Sequence, residues 1–137
     1  MRLSHAPADG AARILIVDDN DENRALLEII MGAEGFALSA ADSGEAALML
    51  VAQEPPALIL LDLMMPGMDG YEVARQLKRG PFTRHIPILM VTGSCDAKTK
   101  GLALAAGAEE VFSKPLDIAG LVNQVRHWLS AALPIAE

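Results

Sequence analysis

Residues 57–70, ALILLDLMMPGMDG, join an unbroken apolar run to a single aspartate and a turn rich in glycine. A short apolar run of this kind is typical of a strand buried on both faces, as the central strands of parallel sheets are. Pro66 and Gly67 favour a reversal of the chain soon after it, and the segment 70–79 has the pattern of a helix. The stretch therefore predicts a strand, a turn beside Asp62 and a crossover helix.

The same unit recurs on both sides of this stretch. Strands are predicted at 14–17, 36–41, 57–61, 87–91 and 109–113. Helices are predicted between and after them, beginning near Asp21 and then at 44–53, 70–79, 98–106 and 118–129. Five alternating pairs predict an α/β fold, a three-layer sandwich whose functional groups lie at the carboxyl ends of parallel strands.

The helices differ in how clearly their apolar faces are defined. In the first helix Leu26, Ile29 and Ile30 share one face, and Gly32 and Gly35 are expected to end it. The helix at 98–106 has few large apolar side chains, so we expect it to be the most easily displaced. The last helix has the clearest face, which we expect to pack on the sheet: Ile118, Leu121, Val122, Val125 and Leu129.

The composition is that of one acidic domain. The chain has 137 residues and a net charge of −7, which opposes direct binding to nucleic acid. No apolar run approaches the roughly 20 residues of a membrane helix, and the single Cys95 needs no oxidising compartment, so a cytoplasmic location is expected. We expect a flexible leader at 1–11, a folded domain at 12–132 and a tail at 133–137.

Chemically complementary side chains stand at the predicted strand ends. Asp18 and Asp19 follow the first strand, Asp62 the third, Thr92 the fourth and Lys114 the fifth. A lone aspartate in such a place is usually a helix cap, but five groups at one sheet edge predict a site. Three neighbouring carboxylates repel one another unless a cation joins them, and Mg²⁺ prefers such oxygen ligands.

Asp62 is the predicted nucleophile of this site. A carboxylate can attack phosphorus to form an aspartyl phosphate, and catalysis of that step is mostly positioning and neutralisation of charge. The hydroxyl of Thr92 could bind one phosphoryl oxygen and the ammonium of Lys114 another. The charges of three aspartates, Mg²⁺ and one lysine sum to zero, which prepares the pocket for an anion.

These residues resemble the receiver domains of response regulators over about residues 12–132. The matching segments, in order, are RILIVDDN, LILLDLMMPGMDGYEVARQLK, PILMVTG and GAEEVFSKPL. The resemblance implies a (βα)5 flavodoxin-like sandwich with strand order 2-1-3-4-5, a phosphoacceptor at Asp62 and a cis bond before Pro115. It also implies that Asp19, Asp62 and the backbone carbonyl of Met64 bind Mg²⁺, or Mn²⁺ in its place, with Asp18 acting through water.

The resemblance also implies partners and a switch. The phosphodonor would be a sensor histidine kinase or a histidine phosphotransfer protein, and the output a downstream protein that binds the face of the fourth helix, fifth strand and last helix, with a homodimer left open. Many relatives carry an aromatic residue where this chain has Val111, and Phe112 is expected to point to the opposite face of its strand. We expect the signal to travel instead through Thr92 and displacement of the fourth helix.

Other functions fit the sequence less well. A phosphatase of the haloacid-dehalogenase type needs a second aspartate at the position of Met64, so we expect no enzyme beyond the domain's own phosphorylation and dephosphorylation. A nucleotide or flavin site needs a glycine- or hydroxyl-rich loop after the first strand, where this chain has Asp-Asp-Asn-Asp-Glu. An unphosphorylated binding surface, a stand-alone regulator and a piece of a longer regulator or hybrid kinase stay open.

Overall fold

The computed structural model describes residues 11–132, with the backbone alone at residues 131 and 132. Apart from residue 11, the predicted leader at 1–11 and the tail at 133–137 lie outside the described residues. Strands and helices alternate throughout, in the order β1 (Arg13–Val17), α1 (Asp21–Ala33), β2 (Ala37–Ala41), α2 (Gly44–Gln53), β3 (Leu58–Asp62), α3 (Gly70–Arg79), β4 (Ile88–Thr92), α4 (Ala97–Ala106), β5 (Glu110–Ser113) and α5 (Ile118–Ala132).

All five strands form one parallel sheet in the order β2-β1-β3-β4-β5. This arrangement confirms the predicted flavodoxin-like fold. Strand β3 lies at the centre and is buried over its whole length, as is its neighbour β4. Among residues 11–132 no helix is long and apolar enough to cross a membrane.

The sheet separates two apolar cores. Ile59 and Leu61 of β3 face the core that is covered by α2, α3 and α4. The alternate residues Leu58 and Leu60 face the core covered by α1 and α5. Because successive side chains of a strand point to opposite faces, an apolar run is what a strand between two helical layers requires.

The face that α1 buries is not the one shared by Leu26, Ile29 and Ile30. Leu27 and Met31 are the residues that this helix buries, whereas Leu26 is 52% exposed and Ile29 69% exposed. Leu27 and Met31 are four residues apart, one turn above the other, so they meet the sheet together. Ile30 is partly buried against the same core. The apolar side chains at 26 and 29 therefore lie on the outside of the domain.

The end of α1 also differs in detail. Gly32 lies inside the helix, and Glu34 caps it. Gly35 follows with φ of +91°, a conformation that residues with a Cβ rarely adopt. Its N–H donates to the carbonyl of Gly32 at 3.0 Å, which closes the last turn. Of the two glycines predicted to end the helix, Gly35 is therefore the one at which the chain leaves it, whereas Gly32 is still helical.

The last two helices are held very differently. On α5, Leu121 and Val125 are fully buried, and Val122 and Leu129 pack partly against the core, while Ile118 is exposed. The face predicted for this helix is therefore confirmed except at its first residue. Helix α4 buries only the small side chains of Ala103 and Ala106. Its contact with the sheet consequently removes little apolar area from water.

Candidate functional site

The acidic loop after β1 is fixed by backbone contacts. The N–H of Asp18 donates to the carbonyl of Ala41 at the end of β2, at 3.1 Å. The carboxylate of Asp18 accepts from the N–H of Asn20 at 2.9 Å, and that side chain is buried. Asn20 then caps α1 by accepting from the N–H of Asn23 at 2.8 Å. Asn20 therefore fixes the junction between the acidic loop and the first turn of α1.

The loop after β3 folds back tightly around Asp62. Gly67 has φ of +75°, a left-handed backbone conformation that glycine adopts without steric cost. The N–H of Gly70 donates to the carbonyl of Leu63 at 2.9 Å. A Cβ atom at position 70 would lie 2.8 Å from the carbonyl oxygen of Asp62. Only glycine lets α3 begin this close to the end of β3.

The structure brings the predicted carboxylates together. One oxygen from each of Asp18, Asp19 and Asp62 lies within 4.8 Å of the others. Asp18 and Asp62 are buried, whereas Asp19 is exposed. The ammonium of Lys114 lies 3.9 Å from Oδ1 of Asp62 and 4.0 Å from Oδ2 of Asp18. Of the five residues predicted to converge at one sheet edge, the structure therefore brings these four together.

Burial and repulsion act together on Asp62. Its pKa is raised to about 6, first by burial and next by the nearby charge of Asp18, with a smaller contribution from Asp19. Lys114 and the N–H of Met64 act in the opposite direction and only partly compensate. The positive groups around the ionised Asp62 carboxylate therefore do not fully compensate for its burial and for the neighbouring negative charges.

These residues fit a magnesium ion. The donors are carboxylate oxygens, the hard ligands that Mg²⁺ prefers, and their separation lets more than one of them reach a single ion. Oδ1 of Asp62 accepts only a long hydrogen bond of 3.4 Å from the N–H of Met64. The Met64 side chain is exposed and does not cover the site. The role of the Met64 carbonyl as a ligand stays a prediction.

Thr92 lies at the site, but its hydroxyl is engaged elsewhere. The residue is buried at the end of β4, next to β3. Its Oγ1 donates to the carbonyl of Ser94 and accepts from the N–H of Ser94, both at 3.3 Å. The N–H of Lys114 donates to the carbonyl of Thr92 at 2.8 Å, which ties the two strand ends together. The bond between Lys114 and Pro115 is cis, as the resemblance implies.

One contact at the acidic loop was missed in the sequence. Nη1 of Arg24 donates to the backbone carbonyl of Asp18 at 2.9 Å, and Nη2 donates to the carboxylate of Asp21 at 2.6 Å. The three-residue spacing between Asp21 and Arg24 on a helix was a signal for their ion pair. Nothing in the sequence indicated that the same guanidinium reaches back to the loop.

A cavity of about 310 Å³ opens beside Asp18 and Lys114, and sequence patterns gave no sign of it. Its polar lining residues are Asp18, Asn23 and Lys114, and the other walls are apolar. They come from α1 and from the segment around Pro115: Leu26, Leu27, Leu116 and Ile118. Asp18 and Lys114 therefore lie at the edge of a mostly apolar cavity.

Comparison with known proteins agrees with this geometry. Residues 14–126 match the family described as the response regulator receiver domain. The chain belongs to this family. Over 127 residues it is 42% identical to the response regulator PleD of Caulobacter vibrioides, covering 93% of the chain and 28% of PleD. It is 33% identical to the sensor histidine kinase GacS of Pseudomonas protegens, covering 90% of the chain and 14% of GacS.

A solved structure shows the same architecture. The signal receiver domain of a signal transduction histidine kinase from Syntrophus aciditrophicus superposes on this receiver domain with a TM-score of 0.85 at 31% identity, covering 93% of this chain and 96% of that one. The chain spans less than a third of the length of PleD and of GacS. The likeness therefore concerns a receiver domain and not the remainder of those proteins.

Removing the charge of Asp62 is expected to stabilise the metal-free receiver domain at neutral pH. Its pKa rises from the usual 3.8 to about 6 on folding, so folding favours the protonated form. The stability that the wild-type domain gains from the protonated Asp62 carboxyl is complete below pH 3.8 and is lost as the pH rises through 6. We expect Asp62→Asn to raise the free energy of unfolding at pH 7 by at most about 3 kcal/mol, and by much less near pH 4. Urea unfolding in EDTA measures the difference.

The exposed Glu45 on α2 offers a control for the loss of one negative charge. Glu45→Gln is expected to change the free energy of unfolding by less than about 0.5 kcal/mol over the same pH range. A stabilisation by Asp62→Asn that is equal at pH 4 and pH 7 would contradict the electrostatic explanation.

Proposed function

We propose that this receiver domain accepts a phosphoryl group on Asp62 and passes the signal on by changing a protein-interaction surface. The observation that supports this best is the group of three aspartate oxygens within 4.8 Å, beside a single lysine. A structural cap or an ordinary surface would gain nothing from burying Asp18 and Asp62 against each other, because that arrangement costs free energy.

The proposed chemistry needs little beyond positioning. An oxygen of Asp62 attacks phosphorus, the P–N bond of the donor phosphohistidine breaks, and its electron pair returns to the imidazole, which takes up a proton. Lys114 binds one oxygen of the transferred group, and Thr92 binds another after its hydroxyl leaves Ser94. When bound, Mg²⁺ would be held by Asp19, Asp62 and the Met64 carbonyl, with Asp18 acting through water, and would neutralise negative charge there.

The proposed domain is a signalling device and not an enzyme that acts on outside substrates. Turnover of phosphate esters in the haloacid-dehalogenase manner needs a second acid two residues after the nucleophile, where this chain has the thioether of Met64. The only catalysis proposed is phosphorylation of the domain and hydrolysis of its own aspartyl phosphate, both dependent on Mg²⁺ or Mn²⁺.

The proposed donor is a sensor histidine kinase or a histidine phosphotransfer protein in the cytoplasm. The exposed Leu26 lines the cavity beside Asp18 and Lys114, and Ile29 is exposed on the same helix, so a donor protein could bury both side chains while presenting its phosphohistidine to Asp62. The proposed output is a downstream protein or a second copy of the domain. Direct binding to nucleic acid is not proposed, because the net charge is −7.

Acetyl phosphate with Mg²⁺ is expected to add one phosphate to the wild-type domain and none to Asp62→Asn. Intact-mass measurement detects the addition, and EDTA is expected to abolish it. Asp69→Asn is a matched control, because Asp69 lies in the same loop and caps α3, a role that asparagine also performs. Phosphate on Asp62→Asn, or on the wild type in EDTA, would contradict the proposal.

We further propose that the switch works through β5 without an aromatic swing. Val111 packs against the core beneath α4, whereas Phe112 packs against the opposite core. On the side of Phe112, Glu110 accepts from Nε1 of Trp128 on α5 at 2.6 Å. Lys114 directly follows β5. Its movement toward a phosphoryl group would therefore pull on the helices on the two sides of this strand, α4 and α5. Helix α4, held by two alanine side chains, would move most easily.

Beryllofluoride with Mg²⁺, which imitates the phosphoryl group, is expected to shift amide NMR resonances across residues 92–113 and the indole resonance of Trp128. The shifts follow because β5 carries the acceptor of the indole N–H and leads directly into Lys114, which lies beside Asp62. The same additions to Asp62→Asn serve as the control and are expected to leave these resonances in place. Unmoved resonances from 92 to 113 in the wild type would refute the proposed route.

A further inference from the structure

The carbonyl oxygen of Asp18 is held by a side chain from the next helix. Nη1 of Arg24, on α1, donates to it at 2.9 Å. The Arg24 side chain is only 20% exposed, although Asp21, which binds its other nitrogen at 2.6 Å, is 87% exposed. The guanidinium is therefore directed inward onto the loop and anchored from outside by an ion pair.

This contact determines the direction of Asp19. The carbonyl of Asp18 and the N–H of Asp19 belong to one rigid peptide plane, so a group that fixes the oxygen also fixes where the next residue begins. Asp19 is exposed, and no protein donor among the described residues holds its carboxylate. Its place within 4.8 Å of the other two carboxylates consequently depends on the backbone before it.

The charge of Arg24 would by itself oppose a nearby cation. Its short ion pair with Asp21 sets an opposite charge beside the guanidinium, so the pair contributes little net charge at the metal site. Arg24 therefore acts on the metal site mainly through its hydrogen bond to the Asp18 carbonyl. Groups that orient metal ligands in this way typically change metal affinity by about 10- to 100-fold when removed.

We propose that Arg24 is a positioning residue for the divalent ion, which it serves by fixing the peptide plane between Asp18 and Asp19. The inference rests on the proposed magnesium site and goes beyond it, because Arg24 itself touches neither the ion nor the phosphoryl group. Arg24 acts through backbone geometry, and Asp21 supports it by neutralising the guanidinium.

Magnesium titrations followed by amide NMR test this directly, without phosphorylation. Arg24→Ala is expected to raise the Kd for Mg²⁺ about tenfold relative to the wild type. Arg24→Lys keeps the charge but cannot make both bonds at once, so its Kd is expected to lie between those two values. Simple repulsion between Arg24 and the ion predicts the reverse for Arg24→Ala, a lower Kd, with Arg24→Lys close to the wild type.

Arg126 provides a matched control at the other end of α1. Its Nη2 contacts both the carbonyl of Glu34 at 3.3 Å and the carboxylate of Glu34 at 2.6 Å. Arg126→Ala therefore removes the same kind of contact and is expected to leave the Kd for Mg²⁺ unchanged. Amide spectra without metal verify that each variant is folded.

The outcomes separate this inference from the proposed function. If Arg24→Ala and Arg24→Lys bind Mg²⁺ as tightly as the wild type, or more tightly, the positioning role is wrong while the metal site stands. If Arg126→Ala weakens binding as much as Arg24→Ala, the effect is one of general stability and the inference fails. If the wild type itself shows no shifts with Mg²⁺, the proposed function fails.

Discussion

Repulsion among the carboxylates of Asp18, Asp19 and Asp62 is the constraint on which the rest of the structure depends. Their oxygens lie within 4.8 Å of one another, and the pKa of Asp62 is raised to about 6 by burial and by the charge of Asp18. Lys114 approaches two of them at 3.9 and 4.0 Å but balances only part of the charge. Such a cluster favours any partner that adds positive charge or removes a negative one.

The remainder of the fold holds these groups against their repulsion. Strands β1 and β3 lie side by side between two apolar cores, so the ends that carry Asp18 and Asp62 cannot easily separate. The close start of α3 at Gly70 then fixes the loop after Asp62. The free energy of burying the central strands therefore offsets the cost of the site, which is how a functional site can be locally unfavourable in a stable domain.

Local signals in the sequence predicted most of the fold. The predicted bounds of α2 and α3 agree with the structure to the residue, and each helix begins directly after a capping side chain, Ser43 or Asp69. The convergence of the site followed from the rule that parallel strands end at one edge. Periodicity alone did not indicate which face of α1 is buried, since Leu26 and Ile29 repeat as regularly as the residues that pack inside. The contact of Arg24 with the loop and the bond between Thr92 and Ser94 depend on side-chain rotamers, which sequence periodicity does not encode.

Anomalous diffraction from crystals of the wild-type domain grown with Mn²⁺, a scatterer that can replace Mg²⁺ at oxygen ligands, tests the central claim most directly. One strong anomalous peak is expected at bonding distance from the carboxylates of Asp19 and Asp62, with no equivalent peak in crystals of Asp62→Asn. A wild-type map with no peak at these carboxylates, or with the ion bound only elsewhere on the acidic surface, would contradict the claim.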